Sequence, residues 1–221
     1  MRHGYSARQI RDAEAPHLAA GEPLMARAAA ALADVVTEVL AERDAAPGRV
    51  LLLVGSGNNG GDALFAGATL AADGHEVWIV ELGSRTHAEG LRAALDAGAR
   101  VVSDTAAASP DVIVDGILGT GAAATPALRG RARETVASLL LSLSGRDAAA
   151  VVAVDIPSGI NPDDGSVPDP TVLPADITVT FGGYKAGLLG GDAVRLAGDV
   201  RLVDIGIGDE LAKMAPAVVV E

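Results

Sequence analysis

The chain contains no cysteine. Disulfides, zinc–thiolate centres and thiol nucleophiles are excluded together. Aromatic residues make up only 2% of the 221 residues, although 49% are hydrophobic. The core must therefore be built from Ala, Val, Leu and Ile, which pack well in parallel strands under helices. Positive charge is scarce: 17 Lys and Arg face 29 Asp and Glu, for a formal net charge of −12. Nucleic acid is disfavoured as a partner, because phosphate backbones need clustered Lys and Arg. A small anion stays admissible where backbone amides or a bound cation supply positive potential. No apolar run approaches the roughly 20 residues that span a bilayer. Met1-Arg2-His3-Gly4-Tyr5-Ser6 carries no apolar core of a secretion signal. A cytoplasmic protein with no membrane contact is the expectation.

What is present is organised around one stretch. Arg49-Val50-Leu51-Leu52-Leu53-Val54 reads as a buried strand, and it stops at Gly55-Ser56-Gly57-Asn58-Asn59-Gly60-Gly61-Asp62. Ala63–Ala72 then reads as a helix. In such a strand–turn–helix, glycine allows positive φ and close approach of a ligand. The free N–H groups of the first helical turn favour an anion. Gly55, Gly57 and Gly60 also satisfy the dinucleotide fingerprint, and Glu81 stands about 20 residues on, where a ribose-binding acid belongs. Two features argue against a plain dinucleotide site. Asp62 complements the helix dipole but repels a phosphate on the same amides. Asn58 and Asn59 add amide donors and carbonyl acceptors together. Oxygens clustered in this way suit a hydroxylated ligand or a hard cation.

The rest of the chain alternates in the same manner. Ser6 with Gln9 opens a first helix as a capping box, and Gly21-Glu22-Pro23 breaks it. A second helix runs from Leu24 to Arg43 with a broad apolar face. Further strands are expected at Glu76–Glu81, Arg100–Val102, Asp111–Asp115, Ala149–Ile156, Ile177–Phe181 and Val200–Asp204. Helices are expected at Thr86–Ala97 and Arg129–Leu143, and Gly74 and Gly98 close helices as C-caps. Pro162–Pro170 is a surface loop by composition. No linker and no internal repeat divides residues 1–221, so one domain is expected.

Ligands of an open parallel sheet bind beyond the carboxyl ends of its strands. Three polar groups belong at that rim: Asn58-Asn59 with Asp62, Asp115 with Gly119-Thr120-Gly121, and Asp155 with Ser158. An acid that ends an apolar strand costs desolvation unless it is paired. The simpler reading is that Asp115 and Asp155 cap the helices after them, although Pro157-Ser158 would already make a good helix start without Asp155. Asn59, Asp115 and Ser158 all present oxygens, and oxygen-only ligation selects hard cations. One carboxylate among neutral oxygens fits a monovalent ion such as potassium. Phe181-Gly182-Gly183-Tyr184-Lys185-Ala186-Gly187 is a fourth glycine-rich turn. Its Lys185 either offsets the acids, holds a phosphate, or caps a surface turn. His3, His17, His75 and His87 stand beside no candidate acid or nucleophile and read as solvated. Ser56 and Ser158 have no histidine in their motifs, so no hydrolase triad is expected.

Gly55–Asp62, Asp115–Gly121, Val154-Asp155-Ile156-Pro157-Ser158-Gly159 and Thr180–Lys185 together closely resemble the NAD(P)H-hydrate epimerases, the YjeF N-terminal domain family. The likeness covers nearly the whole chain, including the N-terminal helices with Asp12 and Leu24-Met25. It implies an α/β fold: a Rossmann-like three-layer αβα sandwich with a mostly parallel central sheet and extra N-terminal helices, often homodimeric. It implies a repair isomerase that interconverts the R and S forms of hydrated NADH and NADPH. By this resemblance the potassium ligands are Asn59, Asp115 and Ser158. Substrate contacts fall on Asn58, Asn59, Gly60, Gly61 and Asp62, on Gly119, Thr120, Gly121, Ala122, Ala123, Ala124 and Thr125, and on Asp155, with Lys185 beside them. Asp155 is the expected catalytic residue, moving a proton at the substrate hydroxyl.

The chain departs from the family at two places. Ala122-Ala123-Ala124-Thr125 follows the Gly-Thr-Gly turn where relatives often carry a basic or bulky polar residue, so contacts there are expected through backbone. Ala63 stands where glycine is common. Many bacterial relatives carry a C-terminal ADP- or ATP-dependent dehydratase; such a partner is expected either fused to this chain in a longer protein or separate. Two other functions are compatible with the fold: a YjeF-type binding or scaffold protein, marked by eroded acid and asparagine positions, and an NAD-dependent oxidoreductase using Glu81. The acid and asparagine positions are intact.

Overall fold

A computed structural model describes residues 1–103, 109–122, 124–143, 145 and 148–221. In chain order the elements are β1 (Arg2–Tyr5), α1 (Ala7–Ala19), α2 (Leu24–Glu42), β2 (Arg49–Val54), α3 (Asn58–Ala72), β3 (Glu76–Glu81), α4 (Ala88–Asp96), β4 (Arg100–Val101) and β5 (Val112–Gly116). After these come α5 (Gly130–Ser142), β6 (Ala150–Val154), β7 (Ile177–Phe181), β8 (Tyr184–Lys185), β9 (Asp199–Val203), α6 (Gly208–Leu211) and β10 (Val218–Val220). No helix is long and apolar enough to cross a membrane among the described residues.

Seven strands form one sheet in the order β4-β3-β2-β5-β6-β7-β9. Every neighbouring pair in it is parallel. Parallel strands are covered on both faces, and the apolar runs divide by parity. Val50, Leu52 and Val54 of β2 pack with the helices on one side, where Leu32 and Val36 of α2, Leu64 and Leu70 of α3 and Ala94 of α4 meet them. Leu51 and Leu53 point to the other side, against Ala132, Val136 and Leu139 of α5. The three-layer αβα expectation holds. Helix α1 starts at Ser6 with both halves of the capping box in place.

A second, three-stranded sheet in the order β10-β1-β8 was not anticipated. Strand β1 runs antiparallel to β10 and parallel to β8, joining the two ends of the chain to Tyr184 and Lys185. No helix follows β6; residues after Val154 form turns instead. Asp115 and Asp155 therefore cap no helix. From β2 the chain moves outward to β3 and β4, then returns to place β5 on the other side of β2. That reversal opens a crevice at the carboxyl ends of β2 and β5.

Candidate functional site

A cavity of about 740 Å³ lies at this reversal, within the range of small-molecule sites. Its lining includes Asn58, Asn59, Asp62, Gly119, Thr120, Gly121, Ala122, Thr125, Asp155 and Lys185. Gly60, Gly61 and Ala124 are not in the lining, and neither are the buried Asp115 and Ser158. Ala123 lies outside the described residues. Three charged residues not singled out from the sequence also line the cavity: Arg11 and Glu14 from α1, and Arg129 just before α5. Arg11, Glu14 and Leu18 recur at helical spacing on one face of α1, which is the signal that was available.

The glycines of the first turn work differently from the sequence reading. None of Gly55, Gly57, Gly60 and Gly61 has positive φ. They allow close approach instead. A methyl on Gly60 would overlap the Gly55 carbonyl, and one on Gly55 would overlap the Ile117 carbonyl. Helix α3 thus begins tight against the ends of β2 and β5. Asn58 is its first residue, so Asp62 falls beyond the first turn and is no partner for the helix terminus.

Asn59 ties the three turns together. Its Nδ2 donates to the Val154 carbonyl (2.5 Å) at the end of β6 and to the Leu118 carbonyl (3.3 Å) after β5. Gly119 packs against the same amide, where any side chain would overlap it. Asp115, 1% exposed, is held by Ser158: the hydroxyl donates to Oδ1 (2.6 Å) and the backbone N–H to Oδ2 (2.8 Å). Ile117 N–H donates to Oδ1 (3.3 Å). Burial raises the Asp115 pKa, and the hydrogen bonds from Ser158 and Ile117 oppose this. No Lys or Arg pairs with Asp115 among the described residues. A buried carboxylate beside a serine hydroxyl and an asparagine amide is a donor set of hard oxygens carrying one charge. It fits a monovalent cation. No group of three or more His, Asp and Glu that could hold a metal occurs among the described residues.

Asp155, the residue after β6, lies in the left-handed region, with φ of 68°. Its Oδ1 accepts from Phe181 N–H (3.2 Å), from Thr180 Oγ1 (3.3 Å), and from Lys185 Nζ in a buried ion pair. Lys185 Nζ also donates to the Phe181 carbonyl (2.8 Å). The lysine is 1% exposed and the aspartate 6%. Lys185 is therefore no surface cap; it offsets the acids. Oδ2 of Asp155 accepts no hydrogen bond from the described residues and belongs to a side chain that lines the cavity. Glu14 is half-buried, and burial raises its pKa against the pull of Lys185.

Glu81 takes no part in the cavity lining, and its carboxylate accepts from Thr86 Oγ1. The solvated reading of the histidines holds for His3 alone. His17 bonds Glu22, His75 bonds the Gly48 amide, and His87 caps α4 and packs edge-on to Phe65. None of the four lines the cavity.

Comparison with known proteins converges on one group. The family model described as YjeF-related protein N-terminus matches residues 21–187. An NAD(P)H-hydrate epimerase of Clavibacter sepedonicus is 52% identical over 92% of this chain and 90% of its own. A bifunctional NAD(P)H-hydrate repair enzyme of Mycobacterium leprae is 42% identical over 94% of this chain but 42% of its own length. The crystal structure of yeast ynu0 superposes with a TM-score of 0.73 at 18% identity, covering 91% of this chain and 86% of that one, and supports the fold alone.

Proposed function

The chain belongs to the YjeF-related protein N-terminus family, and we infer that it is an NAD(P)H-hydrate epimerase, an isomerase acting in nicotinamide nucleotide repair. It interconverts the R and S forms of hydrated NADH and NADPH. The observation that carries the reading is the arrangement of Asp155: a buried carboxylate with one oxygen fixed by Lys185, Thr180 and Phe181 and the other left without a partner.

The hydrate is a cyclic hemiaminal, with a hydroxyl and a ring nitrogen on one carbon. Asp155 exchanges a proton at that hydroxyl. Loss of the hydroxyl leaves a planar carbon that is rebuilt from either face. Lys185 fixes the orientation and charge of Asp155 and acts on substrate through it. Asn58, Asn59 and the first-turn amides of α3, with the Gly119–Thr125 turn, hold the phosphate-bearing part. Arg11 and Arg129 add positive charge to that of Lys185 around the acids. Asn59, Asp115 and Ser158 would hold a potassium ion, which would supply a positive charge to balance Asp115 and would help fix the three turns relative to one another.

We place residues 1–221 in one epimerase domain that works in the cytoplasm as a homodimer, with a fused or separate ADP- or ATP-dependent dehydratase consuming the S form. The test mixes purified protein with the R hydrate and follows the S form, with and without potassium. Conversion is expected, faster with potassium. Asp155→Asn is expected to slow it about 10²–10⁴-fold, the usual worth of a general acid–base group. Turnover by Asp155→Asn at the parent rate would overturn the assignment.

A further inference from the structure

The chemistry just assigned leaves one group unaccounted for. Asp62 is 6% exposed and lines the cavity, yet accepts no hydrogen bond from any described residue. The other two buried acids are anchored. Asp115 is held by Ile117 and Ser158, and Asp155 by Thr180, Phe181 and Lys185. No buried side-chain oxygen lacks a partner among the described residues, so the Asp62 oxygens open into the cavity, where a bound ligand rather than the protein is left to meet them. A helix-dipole role is excluded by its place beyond the first turn of α3.

Epimerisation through a planar carbon needs two proton transfers. One group must be protonated to help the hydroxyl leave, and another ionised to deprotonate the water that returns. Asp155 is paired with an ammonium and is set up as the base. Resting on the epimerase reading, we propose that Asp62 is the second catalytic acid–base residue, working with Asp155 on the same substrate carbon.

In one direction the Asp62 carboxylic acid gives its proton to the hydroxyl. The C–O bond breaks, its electron pair leaves with water, and the ring nitrogen lone pair forms C=N. Water then adds to the opposite face, and the C=N pair returns to nitrogen. Asp155 takes the proton that this water releases. One water leaves and one enters, and one proton passes from Asp62 to Asp155. The reverse epimerisation uses the opposite loading, and exchange with solvent resets the pair.

The surroundings of Asp62 support this. The charged groups that reach it are Asp155 beyond β6, Glu14 on α1 and Lys185 on β8. Burial raises its pKa well above the usual carboxylate range; Asp155 and then Glu14 add to this, and Lys185 opposes it. Arg11 and Arg129 complete the charged lining.

The experiment compares parent, Asp62→Asn and Asp155→Asn on the R hydrate of NADPH across pH. Asp62→Asn should lower kcat about 10²–10⁴-fold in both directions with KM nearly unchanged. The alkaline limb of the parent profile, where Asp62 loses its proton, should vanish with it. Asp62→Ala should regain turnover as formate is added, which also decides the matter should Asp62→Asn fail to fold. A kcat within about threefold of the parent, an unchanged alkaline limb, or no response to formate would overturn the proposal. Failure of the parent itself to epimerise would overturn the function, and this assignment with it. An inactive Asp155→Asn beside an active Asp62→Asn would overturn this assignment alone.

Discussion

Replacing Lys185 by Met removes the cation from a buried pair and leaves its acid in place. Lys185 is fully buried and donates to Asp155 and to the Phe181 carbonyl. Loss of one partner of such a pair costs about 3–5 kcal/mol, because the remaining charge is uncompensated. Here the remaining charge would share a cavity with Glu14 and Asp62 and no ammonium. For a domain of this size each kcal/mol moves Tm by about 2–4 °C, so a fall of about 6–20 °C is expected. The assay is thermal unfolding followed by circular dichroism at pH 7, with the double variant Lys185→Met/Asp155→Asn alongside. Methionine fills most of the volume of lysine, and an amide carries no charge. The double variant should therefore recover most of the loss, as isosteric replacement of whole buried pairs does. A Tm for Lys185→Met within about 3 °C of the parent would refute the reasoning. So would a double variant no more stable than the single, which would trace the loss to packing rather than to charge.

Gly119→Ala places a methyl into the Asn59 amide and should push that side chain off the Val154 and Leu118 carbonyls. Epimerase activity is expected to fall about 10²-fold, as for displacements of this size at a site; parent-like kinetics would show that Asn59 is not needed where it stands. Asp115→Asn removes the negative charge of the oxygen cluster formed with Ser158 and Asn59. Titration of activity with potassium chloride should lose its potassium dependence, and an unchanged titration curve would place the ion elsewhere.

The central sheet was legible because a parallel strand is apolar on both faces. Val50–Val54 reads as an unbroken run since its alternate residues serve two cores. The rim of the site was legible for the opposite reason: Asp115 and Asp155 interrupt such runs where burial makes a charge costly. What escaped was non-local. Strands β1 and β10 pair Arg2–Gly4 with Val218–Val220, and nothing nearby in the chain marks either. Arg11 and Glu14 looked like ordinary polar residues of a surface helix. Only the packing of α1 through Ile10 and Ala13 against the main core turns that face toward the cavity. Asp62 was seen, but its lack of a partner is a property of the assembled site.

The backbone at Asp155 narrows what its side chain can be. A left-handed residue costs roughly 1–2 kcal/mol for most L-amino acids, with Gly, Asn and Asp as the usual exceptions. The chain turns there, just after β6, and the carboxyl reaches Thr180 and Phe181 on neighbouring β7 and Lys185 on β8 of the second sheet. On the proposed role, conformation and proton transfer would each favour aspartate at this position, by separate routes. Asparagine satisfies the first and fails the second, which makes Asp155→Asn the informative substitution. Alanine fails both, so a dead Asp155→Ala protein would not separate chemistry from a rebuilt turn.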